Sequence, residues 1–253
     1  MRLLGVIGEG MKKIVISSIL LASSVAASPV VLAEDDKSDK KLWSGEVGLS
    51  FISNNGNTNS QNLGVKARAI RDGSVWRNTY KLESLNEETD DIRSAEKYFA
   101  SAKFDRKLSE IDYVFGLIEH EDDRFSGYDY QTSITAGYGR KLIQNDAHIL
   151  EMEVGPGYRR SEIMGENDVE EEGTLRGALN YDWIITKASS FRQEMSVEAG
   201  ENSTISKSLS RFKSQLNGSL ALVISYEAKH TSSVPVGTHK FDSTTFVSLD
   251  YSF

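Results

Sequence analysis

The sequence predicts an all-β protein, a transmembrane antiparallel up-and-down β-barrel of about 12 strands. Three observations predict it. From Leu42 onward apolar and polar residues alternate with period two, as strands with one apolar face require. Short turns alternate with longer, acidic connections, as in barrels whose two rims face different compartments. Aromatic residues of the apolar face collect near strand ends around an aliphatic middle, which is the pattern of girdles at two membrane interfaces.

Taken in chain order, the first element is an address. Met11-Lys12-Lys13 precedes an apolar run, Ile14–Ala27, and Val31-Leu32-Ala33 supplies small or branched residues before a cut. Residues 1–33 therefore read as a cleaved secretory signal peptide, with Met11 the more natural initiator. The run is too short to cross a bilayer as a stable helix. Residues 34–41 carry seven charges in eight positions and read as a charged periplasmic leader.

The barrel occupies 42–253. Its first strand, 42–53, puts Trp43, Gly45, Val47, Leu49 and Phe51 on one face and Ser44, Glu46, Gly48 and Ser50 on the other. Strands follow at 58–71, 74–86, 94–107, 110–121, 128–143 and 147–160. The eighth, 173–185, sets Leu175, Leu179, Tyr181 and Trp183 against Thr174, Arg176, Asn180 and Asp182. The ninth, 189–200, sets Phe191, Met195, Val197 and Ala199 against Arg192, Glu194, Ser196 and Glu198. The tenth and eleventh are 204–216 and 219–232. In the twelfth, 243–253, Val247, Leu249, Tyr251 and Phe253 alternate and resemble the C-terminal assembly signal of bacterial outer-membrane barrels.

Tight turns are expected at Asp72-Gly73, Ser109, 144–146, 186–188 and Asn217-Gly218, and acidic loops at 87–93, 122–127, 161–172 and 233–242. Short turns belong in the periplasm, so an even strand count places both termini there. The girdles would comprise Trp43, Trp76, Phe104, Tyr113, Tyr138, Trp183, Phe191 and Tyr251 at one level, and Phe51, Tyr98, Tyr130 and Tyr158 at the other.

Composition narrows the function. Apolar residues make up 39% and charged residues 26% of 253, and no window after the leader reaches the ~18 apolar residues of a membrane helix. A net charge of −8 gives no footprint for nucleic acid. There is no cysteine for disulfides, thiolate metal sites or thiol nucleophiles. The four histidines (120, 148, 230, 239) share no ligand spacing, and the acidic runs 87–91, 121–123 and 170–172 lack Ca²⁺-loop spacing. No cofactor or metal is expected.

Several stretches carry a resemblance: Asn55–Gln61, Ser94–Tyr98, Tyr113-Val-Phe-Gly116, Asp123–Tyr130, Ala136-Gly-Tyr-Gly139 and Glu153-Val-Gly-Pro-Gly-Tyr158. Over 42–253 the chain resembles the YdiY-like family of salt-induced outer-membrane proteins, which carry a domain of unknown function. The resemblance implies an outer-membrane barrel of a Gram-negative bacterium and supplies no catalytic residues. Lipid, lipopolysaccharide and the barrel-assembly machinery are the expected partners.

Two chemistries compete with a structural barrel or narrow small-solute pore. His230 and Ser232 lie two apart on one strand face near a rim, as in outer-membrane phospholipases, but no third group orients the imidazole. The acidic loops could instead serve adhesion or binding, with residues 123–130 either recognising a ligand or anchoring a strand through Gly127, Tyr128 and Tyr130.

The lumen supplies the sharpest expectation. Thirteen basic residues (Lys66, Arg68, Arg77, Lys81, Lys97, Lys103, Arg159, Arg176, Arg192, Lys207, Arg211, Lys213, Lys229) point inward with eleven acidic ones (Glu46, Glu83, Asp105, Asp112, Glu151, Glu153, Asp182, Glu194, Glu198, Glu227, Asp250). Interleaved signs favour cross-lumen pairs over the one-sign rings of a selective pore. The network is centred on Lys66, Arg68, Lys81, Glu83, Lys103, Asp105, Glu151, Glu153, Arg176, Asp182, Arg192, Glu194, Glu198, Arg211 and Lys213. It predicts small or intermittent conductance, widened by replacing Arg192, Arg211 and Lys213 together.

Overall fold

The structure, a computed structural model, describes residues 42–54, 60–89, 92–124, 126–164, 168–235 and 237–253. The signal peptide, the leader and residues 55–59 of the Asn-rich stretch lie outside the described residues.

Twelve strands form: β1 Trp43–Asn54, β2 Ser60–Asp72, β3 Trp76–Thr89, β4 Ile92–Lys107, β5 Asp112–Asp123 and β6 Tyr128–Gln144, then β7 His148–Ile163, β8 Asp168–Ile184, β9 Ser189–Gly200, β10 Thr204–Gln215, β11 Leu220–Thr231 and β12 Phe241–Ser252. Each pairs antiparallel with its chain neighbours, and β12 returns to β1, closing the barrel. Closure joins the first and last strands through Glu46–Leu49 and Leu249–Ser252, giving the closed wall that a barrel in lipid requires.

The barrel is inside-out relative to a soluble domain. Forty large apolar or aromatic side chains are exposed among the described residues, Phe51 and Leu82 at 66% and 61%. Sixteen polar or charged residues are buried against nine apolar ones. Such an outer surface would aggregate in water and is stable against hydrocarbon. Trp43, Tyr80 and Phe104 lie together near the short-turn rim, Tyr80 stacked on Trp43 at 6.5 Å and edge-on to Phe104 at 6.1 Å.

The same local chemistry recurs at that rim. Ser109 Oγ accepts from the Asp112 N–H at 2.9 Å, and Asn145 Oδ1 from His148 N–H at 2.8 Å. Thr186 Oγ1 accepts from Ser189 N–H and Asn217 Oδ1 from Leu220 N–H, both at 3.0 Å. A short polar side chain thus satisfies the backbone donors that each tight reversal leaves unpaired.

The opposite rim departs from the sequence reading. Strand β3 continues to Thr89, β4 begins at Ile92, β7 reaches Ile163 and β8 starts at Asp168. The acidic runs at 87–88, 121–123 and 170–172 are therefore strand, and the connections shrink to 90–91, 124–127 and 164–167, with 232–240 the longest. The apolar alternation stops where the wall leaves hydrocarbon, but backbone pairing continues into the charged stretch.

Strand β5 runs in the phase opposite to the one its alternation predicts. Tyr113, Phe115 and Leu117 of β5 are buried together, so Tyr113 is not in the girdle. Asp112 faces outward, bonded by the Tyr138 hydroxyl and 3.6 Å from Arg140. Glycines explain the inversion: a Cβ on Gly137 would lie 2.8 Å from the Phe115 ring, and one on Gly139 would overlap the Tyr113 ring. Strand β6 leaves the space into which those rings turn.

Candidate functional site: an ion-paired lumen

Alternation along each strand turns every second side chain toward the lumen, and many of these are charged. Strand β3 supplies Arg77, Lys81 and Glu83, β2 supplies Lys66 and Arg68, and β9 supplies Arg192, Glu194 and Glu198. Each of the fifteen residues of the central network has an oppositely charged partner within 4.0 Å.

Some pairs join neighbouring strands. Arg77 Nε lies 2.7 Å from Asp105, Arg176 lies 3.3 Å from Glu153, and Arg192 lies 2.5 Å from Asp182. Others cross the bore. Lys81 Nζ on β3 reaches Glu194 on β9 at 2.6 Å, and those strands stand six apart on a ring of twelve. Lys229 on β11 reaches Glu121 on β5 at 2.5 Å, again from directly opposite walls. Arg77 also bonds Glu151 on β7 at 2.8 Å, and Lys103 on β4 bonds Glu153 on β7. On the seam side Arg211 bonds both Glu46 and Asp250, while Lys213 lies 3.4 Å from Glu46.

Acidic residues absent from the inward set read from the sequence also face the lumen, among them Glu121, Glu172 and the cavity-lining Glu119, Asp123 and Asp242. Glu121 is 5% exposed and surrounded by Lys229, Lys207 at 3.2 Å and Lys97 at 3.6 Å. Glu172 holds Arg159 at 2.5 Å, and Arg159 also binds Glu198 at 2.8 Å and the Ser203 carbonyl at 2.6 Å. Glu96 lies on the outward phase of β4 with Tyr98 and is buried near the loop rim, 3.0 Å from Arg124 and bonded by the Tyr98 hydroxyl at 3.3 Å. The signal that could have found Glu172 was parity, since it continues the inward phase of Thr174 and Arg176; Glu121 was hidden because it follows the phase of Tyr113, which reads as an outer-girdle residue.

Between the Lys81–Glu194 pair and the loop rim the lumen keeps a cavity of about 370 Å³, whose walls include Lys97, Phe99, Glu121, Lys207 and Lys229. Both signs of charge line it, which suits polar or zwitterionic groups more than a simple ion.

His230 and Ser232 are not assembled into a nucleophilic pair. Ser232 Oγ accepts the Thr204 N–H at 2.8 Å, and no hydrogen bond joins it to the His230 imidazole among the described residues. The residues of the last strand, Val247, Leu249, Tyr251 and Phe253, all face outward, and Phe253 exchanges backbone hydrogen bonds with Gly45 at 3.0 and 3.1 Å.

The fold and the lumen together define a transmembrane barrel whose interior is crossed by paired charges. Residues 47–253 match the family described as "Protein of unknown function, DUF481", and the chain belongs to that family. It is 30% identical to "Uncharacterized protein YdiY" of Escherichia coli (strain K12) over 232 residues, covering 89% of each chain. Among solved structures it resembles the NanC porin, with a TM-score of 0.47 and 10% identity over 83% of this chain and 97% of that one. The KdgM porin in complex with disordered oligogalacturonate gives 0.45 and 11%, over 83% and 99%. The translocator domain of autotransporter NalP from Neisseria meningitidis gives 0.44 and 13%, over 83% and 86%.

Proposed function

We propose that the chain is an outer-membrane barrel of a Gram-negative envelope, of structural or envelope-stress type, whose lumen admits at most slow passage of small solutes. The observation that carries this reading is the pair of ion pairs between opposite walls, Lys81–Glu194 and Lys229–Glu121. A bore wide enough for a steady aqueous path cannot be bridged by two side chains end to end. Single water-exposed pairs stabilise by only about 0–1 kcal/mol, but a connected network fixes every member in place.

In this reading residues 1–33 are removed on export, 34–41 remain in the periplasm as a charged leader, and both termini lie on the tight-turn side. Lipid and lipopolysaccharide surround the outer band, and the assembly machinery engages Val247, Leu249, Tyr251 and Phe253.

Liposome swelling tests the proposal. Vesicles containing the refolded barrel should swell in small sugars little faster than protein-free vesicles. Swelling at the rate of an open general porin would overturn it.

A further inference from the structure

The barrel is closed unevenly. Each of the other eleven ladders pairs eleven residues or more. The β1–β12 ladder runs only from the Gly45–Phe253 bonds to Leu49↔Leu249. Beyond that point β1 continues to Asn54 bonded to β2 alone, and β12 runs back to Phe241 bonded to β11 alone. Two strand edges therefore face one another without a ladder on the loop side. Phe51 and Phe241, which point outward from these strands, are 66% and 56% exposed. Unpaired strand edges in the wall of a membrane barrel are costly, so a stretch of this kind persists where something else closes it or uses it.

Side chains close it from within. Phe246 of β12 is 7% exposed and turns into the lumen, where a Cβ on Gly64 of β2 would sit 3.5 Å from its ring. Lys66 of β2 holds its ammonium 4.0 Å from the centre of that ring. The same ammonium bonds Glu227 of β11, so one ion pair reaches across both seam strands. Glu227 and Thr244 also line the cavity of about 370 Å³, which therefore extends to the seam. Its way to the tight-turn rim is crossed by Lys81–Glu194 and by Arg211 with Glu46 and Asp250.

We propose that the β1–β12 seam is a lateral portal through which the head of a single-chain membrane amphiphile enters the lumen cavity, with Lys66, Glu227 and Phe246 as its inner latch. The occupant follows from the two environments joined. The cavity presents both signs of charge to a zwitterionic head, while the seam opens between exposed phenylalanines that suit an acyl tail. A latch of one ion pair and one cation–ring contact opens without disturbing the eleven long ladders. The proposal rests on the barrel being embedded in a membrane.

The absence of native cysteine makes a clean test possible. Wild type, Lys66→Met, Glu227→Gln, and Lys66→Met carrying Phe51→Cys with Val247→Cys are refolded into phosphatidylcholine vesicles containing a photoreactive lysophosphatidylcholine. Crosslinks to the cavity residues Lys229 and Thr244 are then counted by mass spectrometry. Cutting the latch in either variant should raise cavity labelling several-fold. Oxidising the cysteine pair should return it to the wild-type level, and reduction should restore it. Equal cavity labelling in all inserted forms, or labelling indifferent to the disulfide, overturns the portal alone. Wild-type protein that never gains heat-modifiable mobility in the vesicles overturns the membrane reading on which the portal depends.

Discussion

At Glu121 one carboxylate holds three ammonium groups, those of Lys97, Lys207 and Lys229. Glu121→Gln removes the carboxylate that all three lysines touch and leaves them facing one another. Because the Lys207 side chain is 37% exposed, the cost should sit near the low end for a broken buried pair, about 3 kcal/mol. A urea titration of the barrel in lipid would read it, and the residual current should shift toward anions. Gly139→Val should also destabilise, by about 1–3 kcal/mol, since its Cβ would occupy the Tyr113 ring position. Charged residues such as Lys81, Arg192 and Glu194 were legible because they alternate with unmistakable apolar neighbours. Tyr113 and Asp112 were not, because β5 has aromatic residues in the lumen and the glycines that admit them lie on another strand.

At the scale of the element, the last strand decides closure. Phe253 bonds Gly45 through the backbone and lies where any Cβ on Gly45 would be. Replacing Tyr251 and Phe253 with serine removes two exposed rim anchors beside the shortest ladder. Much lower outer-membrane levels and loss of heat-modifiable mobility are expected; normal insertion would show that the last strand is dispensable for assembly. Strand number, order and the tight turns were readable from period-two alternation and from Ser109, Asn145, Thr186 and Asn217. The loop-side ends were not. Past the hydrocarbon both faces are wet, and the hydrophobic pattern that marks a strand disappears while Arg160↔Glu171 and Asn62↔Glu87 still pair.

At the scale of the whole molecule, that extension changes what the outside of a cell would see. The acidic runs form a charged collar of strand, so protease added to intact cells should cut within 232–240 and leave 87–88 and 170–172 intact. Cleavage at 216–219 instead would invert the proposed orientation. The most direct test of a lumen shut by paired charges is the single-channel conductance of the refolded barrel in a planar bilayer. Wild type should give small or intermittent currents with weak ion selectivity, and replacing Lys81 and Lys229 with methionine should produce larger, cation-preferring steps. A large, steady wild-type conductance that both substitutions leave unchanged would contradict it.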